Sequence, residues 1–212
     1  MTYQDRLLKS IPGGAHTYSR GYDQFPANAP QILEKGSGAY TYDVDGNKYL
    51  DYGMALRAVN LGYANKEVNQ AAMEQMEFGN NLTRASLIEL EAAELLIDTI
   101  DSVDMVKFTK NGSTATTAAI KLSRAYTGRH IIARCQDHPF FSYDDWFIGS
   151  TPMTKGISKD AISSTKTFGY NNIKSLEKLF EEFPGQIACV ILEPSATEHP
   201  KNGFLHKVKA LC

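Results

Sequence analysis

The sequence predicts an α/β fold: a mostly parallel sheet with helices on both faces, preceded by a small N-terminal α+β segment. Three observations lead there. From residue 105 onward, strand-like runs at 105–109, 130–134, 165–168 and 187–192 alternate with helical stretches, notably 113–127 and 173–183. Short strands separated by helices pair in parallel, because a parallel neighbour needs a long crossover. Residues 31–52 instead read as an antiparallel meander, with a hairpin signal at Asp45-Gly46. Finally, 212 residues of 42% hydrophobic content suffice for one α/β domain with a smaller subdomain.

In order along the chain, residues 2–10 predict a short helix with Leu7 and Leu8 inward, broken by Ile11-Pro12-Gly13-Gly14. The loop Ala15-His16-Thr17-Tyr18-Ser19-Arg20-Gly21 is rich in donors and ends on a cation. After the meander, Gly53 to Gly62 carries Arg57 between Leu56 and Ala58. An arginine in so apolar a stretch needs a partner. A structural ion pair and an anion-binding role are both open. Residues 66–78 predict a helix. Residues 86–100 predict a stronger one, opened by the capping box Ser86-Leu87-Ile88-Glu89. Its stripe of Leu87, Leu90, Ala93, Glu94, Ile97 and Ile100 reads as core packing. Asn172 suits the N-cap of the 173–183 helix, and Pro184-Gly185 its end. The last stretch, Gly203 to Cys212, begins an amphipathic helix with no stop signal, so the sequence reads as cut inside an element.

The stretch Met105 to Thr127 carries the most chemistry. It reads as a buried strand at 105–109, a turn Lys110-Asn111-Gly112, and a helix opening at Ser113 and closing at Gly128. A glycine turn feeding a helix N-terminus presents unpaired N–H groups and partial positive charge to an anion. Gly112 has no side chain to block a phosphate, and Ser113 and Thr114 add hydroxyls. Ser113 as a plain N-cap and Gly112 as a plain turn residue are the competing structural reading. Neither a Walker lysine nor G-x-G-x-x-G is present. Strand carboxyl ends would gather Asn111-Gly112-Ser113, Asp137-His138 and Glu193-Pro194 on one edge, where ligands of parallel sheets sit.

Several function classes are disfavoured. The net charge of −2 lacks the basic face of a nucleic-acid binder. No apolar run is long enough to span a membrane, and no secretory signal pattern opens the chain. Three widely spaced cysteines, Cys135, Cys189 and Cys212, read as reduced thiols in a cytoplasmic protein. His138 has no second histidine or cysteine at ligand spacing, so no metal is expected.

An ordered set of segments resembles the class III, fold-type I aminotransferases that use pyridoxal 5'-phosphate (PLP), nearest the glutamate-1-semialdehyde 2,1-aminomutase branch. The segments are Ile11-Pro12-Gly13-Gly14 with Ser19-Arg20, Tyr42-Asp43-Val44-Asp45-Gly46, Tyr49-Leu50-Asp51-Tyr52, Leu61-Gly62, Asn111-Gly112-Ser113, Arg124-Ala125-Tyr126-Thr127-Gly128-Arg129 and Glu193-Pro194. The resemblance implies an N-terminal segment over 1–62 and the first part of a PLP-binding large domain over 63–212. It implies a phosphate site at Asn111, Gly112 and Ser113, with His138 against the cofactor ring and Glu193 beside it. Arg20, Thr17 and Arg57 would meet the substrate, a carboxylate-bearing amino donor or acceptor. Relatives are homodimers.

The chain also departs from the family pattern. Thr114 replaces an acid, His138-Pro139-Phe140 replaces Tyr-His-Gly, and Leu56-Arg57 stands at an aromatic position. The family's Schiff-base lysine and the aspartate that pairs with the pyridinium nitrogen have no counterpart in these residues. The 212-residue chain alone is therefore expected to be inactive, with amino-group transfer belonging to a full-length protein. The alternative is a non-catalytic phosphate-binding α/β fragment, or a partner for a lysine-bearing chain.

Overall fold

A computed structural model describes residues 1–138, 140–195 and 197–212. Pro139, in the His138-Pro139-Phe140 stretch named above, lies outside the described residues. The chain forms two compact units, Met1–Leu87 and Ile88–Cys212.

In the first unit, α1 (Tyr3–Ser10) is opened by a capping box: Thr2 accepts from the Asp5 N–H and Asp5 accepts from the Thr2 N–H. Strands β1 (Leu33–Ser37), β2 (Tyr40–Asp43) and β3 (Lys48–Leu50) form the expected antiparallel meander, in that order. The Asp45-Gly46 turn works because Gly46 takes φ 84°, and because Asp43 accepts from the N–H groups of Asp45 and Asn47. Next comes α2 (Met54–Arg57), a single turn whose four residues all have positive φ. Helix α3 (Lys66–Glu77) starts where Asn65 caps the Val68 N–H.

Helix α4 (Leu87–Thr99) has none of the predicted core stripe fully buried. Leu87 is 70% and Leu90 54% exposed, while Ala93 and Ile97 of the same stripe are half-buried. The stripe is therefore not core in this chain. The strand predicted at 105–109 is likewise corrected. The segment joins no sheet, and Met105 is 89% exposed. A strand is defined by a neighbour to pair with, and none lies beside it among the described residues.

The second unit holds α5 (Gly112–Thr127), β4 (Ile131–Cys135), α6 (Asp145–Ile148), α7 (Lys159–Ser164), β5 (Thr165–Phe168), α8 (Ile173–Glu182), β6 (Ile187–Ile191) and α9 (Phe204–Leu211). The strands lie in the order β5-β4-β6 and pair in parallel. Every residue of β4 is buried, as the central strand of a sheet covered on both faces must be. Ile131, Ala133 and Cys135 face a core built with Leu176 and Leu179 of α8 and Phe204 and Val208 of α9. Ile132 faces the other core, with Ile120 of α5 and Trp146 and Phe147 of α6. A register shift pairs Ile131 with Ile187 but Ile132 with Cys189, leaving Ala188 as a bulge.

Two helix ends fall where the sequence placed them. Gly128 takes φ 68° and donates to the Arg124 carbonyl, while Asn172 caps the Ser175 N–H. The start of α5 is corrected by one residue: Gly112 is its first residue, and Asn111, not Ser113, is the N-cap.

Candidate functional site

The site is built at the start of α5 and at the carboxyl ends of β4 and β6, all in the second unit. The Asn111 side chain accepts from the Thr114 N–H at 2.9 Å and from its hydroxyl at 3.1 Å. The Asn111 carbonyl takes the Ala115 N–H. The carbonyl bond is the first regular turn of the helix, and the side-chain bond satisfies one of its orphan donors, the Thr114 N–H. The N–H groups of Gly112 and Ser113 remain, with the positive end of the helix dipole behind them. Gly112 needs no glycine for its own sake: its φ is not positive, and an added Cβ would meet nothing within 4 Å. Fold and packing do not account for the missing side chain.

Ser113 is 9% exposed, and its Oγ accepts from the Tyr143 N–H at 3.2 Å. That fills an acceptor position and leaves the hydroxyl proton for another partner. The contact belongs to a polar network tying α5 to the 141–146 loop. Thr116 donates to the Phe141 carbonyl at 2.9 Å, Thr117 to Asp144 at 2.5 Å, and Ser142 to Asp144 at 3.1 Å. The Trp146 indole donates to Thr117 at 2.9 Å. Sequence reading missed this group.

At the end of β4, His138 is 4% exposed, and its Nδ1 accepts from the Glu193 N–H at 2.9 Å. That bond places the proton of the neutral ring on Nε2. The end of β6 is thereby fixed to the end of β4, and His138 and Glu193 are brought together as the sequence suggested. Tyr170, which follows β5, completes the arrangement. Its ring centroid lies 5.1 Å from that of His138, its N–H donates to Asp137 at 2.6 Å, and its hydroxyl donates to the Pro194 carbonyl at 2.7 Å. His138, Asp137, Tyr170, Thr197 and Glu198 line a cavity of about 210 Å³. Nothing in the sequence flagged Tyr170, whose position depends on strand order. Burial pushes the Cys135 and Cys189 thiols up, which keeps both protonated and unreactive.

The substrate candidates lie in the first unit. Thr17, Arg20 and Arg57 are all exposed. Thr17 lines a cavity of about 370 Å³ with His16, Tyr18 and Tyr22, while Arg20 closes the short turn Tyr18–Arg20 beside it. Arg57 has no carboxylate partner among the described residues, so the structural ion pair considered from sequence is not formed.

A model of the class III aminotransferases matches residues 18–212. The chain belongs to this family. It is 31% identical to the glutamate-1-semialdehyde 2,1-aminomutase of Francisella philomiragia subsp. philomiragia, across 97% of this chain and 50% of that protein. Among solved structures, the FumI protein of Sphingopyxis sp. MTA144 in its PLP internal aldimine form matches with TM-score 0.89 and 30% identity. That match covers 99% of this chain and 51% of the other. An omega-transaminase from Sphaerobacter thermophilus matches with TM-score 0.88 and 27% identity, at 99% and 51% coverage. This class III aminotransferase chain spans about half the length of the curated relatives it matches. No described helix is long and apolar enough to cross a membrane.

Proposed function

We propose that this chain contributes the phosphate-binding half of an enzyme that moves amino groups with PLP, as an aminotransferase or a 2,1-aminomutase. The observation that carries the reading is the start of α5. There a glycine that neither packing nor backbone demands stands beside two free N–H groups and a hydroxyl with an unused proton. Asn111, Gly112 and Ser113 would hold the cofactor phosphate. Asn111 keeps the helix end open, Gly112 admits the anion to the backbone, and Ser113 donates its hydroxyl. His138 would lie against the cofactor ring, with its orientation held by the Glu193 N–H. When bound, PLP supplies an electron sink for the carbanion formed as an amino group is transferred.

Substrates on this reading are carboxylate-bearing amino donors and acceptors. Arg20 and Arg57 would bind their anionic groups and Thr17 would add a hydroxyl, since the guanidinium plane suits a carboxylate. The sequence division at 62/63, assigning α3 to the cofactor-binding part, is proposed with it. So are a homodimeric assembly of the full-length protein and a cytoplasmic location, the latter supported by three free cysteines.

The test is to supply the full-length protein with PLP and a panel of amino donors, with and without a 2-oxo acid acceptor. PLP-dependent consumption of donor is expected. Product formed without acceptor identifies the internal 2,1-shift, and no PLP-dependent conversion of any donor refutes the reading.

A further inference from the structure

With the strands in the order β5-β4-β6, the end of β4 separates the ends of β5 and β6. The turn after β5 nevertheless reaches the segment after β6. It runs from Gly169 to Asn172, closed by the Asn172 N–H on the Gly169 carbonyl at 3.3 Å, with Asn171 at φ 58°. Asparagine is among the few residues that take this conformation readily. The Asn171 side chain donates to the His199 carbonyl at 3.1 Å and accepts the Lys201 N–H at 2.8 Å. The Tyr170 hydroxyl donates to the Pro194 carbonyl at 2.7 Å. Both β5 and β6 already pair with β4, so the sheet does not require these bonds. They make the turn a strap across the end of the central strand.

His138 lies beside the strap. The Tyr170 N–H donates at 2.6 Å to Asp137, the residue before it, and the Tyr170 ring lies 5.1 Å from the imidazole at 55°. Phe204 of α9, itself buried, packs edge-on against Tyr170 in turn, at 5.1 Å and 71°. Phe141 meets the imidazole edge-on at 5.9 Å and 76°, and Nδ1 is taken by the Glu193 N–H. The Nε2–H has no partner among the described residues, yet it is not sealed in: among their buried side-chain atoms only the Thr165 hydroxyl lacks a bond. His138 and Tyr170 both line the cavity of about 210 Å³, so Nε2 is the polar edge that His138 offers there. Two rings and one hydrogen bond thus hold a neutral imidazole with a donor left over.

We propose that Tyr170 is a positioning residue of the cofactor site: strapped across the end of β4, its ring holds the His138 imidazole in one orientation before PLP arrives. This rests on the reading that His138 lies against the cofactor ring. An imidazole free to turn about its two side-chain bonds must be ordered on binding, and that ordering is lost affinity. A braced imidazole is ordered in advance. Tyr170 acts through His138.

The experiment titrates PLP into the PLP-free full-length protein and reads both the affinity and the visible circular dichroism of bound PLP, beside thermal melts of each PLP-free variant. Tyr170→Leu should weaken PLP about fivefold, the size of one aromatic pair, and shrink the dichroic band. Tyr170→Phe keeps the ring and should stay within about twofold of wild type in affinity, with the band preserved. His138→Ala should weaken PLP about fivefold or more, and adding Tyr170→Leu to it should cost less than about twofold further, because the brace then has nothing to hold. If Tyr170→Leu does not fold, Tyr170→Met, flexible and without a ring, carries the same expectations. Unchanged affinity and dichroism in His138→Ala overturn this inference together with the place given to His138. Loss in His138→Ala but not in Tyr170→Leu leaves His138 in place and refutes the brace. Equal loss from Tyr170→Leu with and without His138 also refutes it, since Tyr170 then acts on its own. A Tyr170→Phe loss as large as that of Tyr170→Leu assigns the effect to the Pro194 bond and refutes the role of the ring.

Discussion

Replacing Gly112 by valine adds a branched side chain at the first residue of α5. In the free protein that side chain enters open space, since an added Cβ meets nothing within 4 Å and the residue is not in a positive-φ conformation. Glycine is the more flexible residue in the unfolded chain, so its loss should change stability by no more than about 1 kcal/mol, in the stabilising direction if anything. For a chain of this size that corresponds to roughly 2–4 °C in Tm. Cofactor binding should respond differently. A phosphate held by the Gly112 and Ser113 N–H groups must approach where the valine methyls would stand. Losing one charge-assisted hydrogen bond removes about 1.5–3 kcal/mol, or about 10- to 150-fold in affinity. Thermal melts of the PLP-free full-length proteins and PLP titrations of the same PLP-free proteins, each run on wild type, Gly112→Ala and Gly112→Val, separate the two quantities. Early melting with normal PLP affinity would mean that Gly112 serves the turn alone, and the phosphate site is elsewhere.

Arg20→Ala in the full-length protein should raise KM for carboxylate substrates about 10-fold or more while leaving PLP affinity unchanged, which steady-state kinetics beside a cofactor titration would check. Arg134 is buried over the Phe147 ring and donates to the Ser150 hydroxyl and carbonyl and to the Cys135 carbonyl. Arg134→Ala strands those acceptors and should lower stability by about 3 kcal/mol in a denaturant melt. Asp144→Ala removes the acceptor shared by Thr117 and Ser142, and should loosen the loop against Ser113, seen as faster amide exchange at Tyr143 together with weaker PLP binding. Hydrogen bonding from Tyr63, then from the Gly53 and Met54 N–H groups, holds the Asp51 carboxyl below its ordinary value of 3.8. A depressed folded value gives stability that is present above the unfolded value and lost as pH falls through the folded one. Acid titration of the melting temperature should therefore show a component below pH 3.8 that Asp51→Asn abolishes, with no difference in pH dependence near neutrality.

Local chemistry fixed the parts of the fold whose causes are local. Asn172 and Gly128 end their helices because a side-chain acceptor within three residues, or a left-handed glycine, is all that a cap requires. The runs at 131–135 and 187–191 are legible because strands packed between two layers are mostly apolar, while the edge strand 165–168, Thr-Lys-Thr-Phe, shows only by its place between two helices. Their alternation with helices was enough to give a parallel sheet. The open helix start at Asn111-Gly112-Ser113, where the phosphate site is proposed, was legible for the same reason: it is a contiguous feature. The N-cap was missed by two residues because asparagine and serine are both good caps, and only the backbone of Asn111 decides between them.

What tertiary structure decided concerns partners distant in sequence. The segment 105–109 has the composition of a strand, yet it is one only where another strand lies beside it. The stripe on α4 has the period of a core face, but Leu87 and Leu90 remain exposed. Tyr170 reaches His138 only because β5 lies next to β4, and Glu193 reaches it only because β6 lies on β4's other side. The hand of the Met54–Arg57 turn is the extreme case. Every residue in it prefers the opposite conformation, yet all four have positive φ, beside an Asp51 carboxylate that accepts from the Gly53 and Met54 N–H groups and from the Tyr63 hydroxyl, whose ring packs where Gly36 has no side chain.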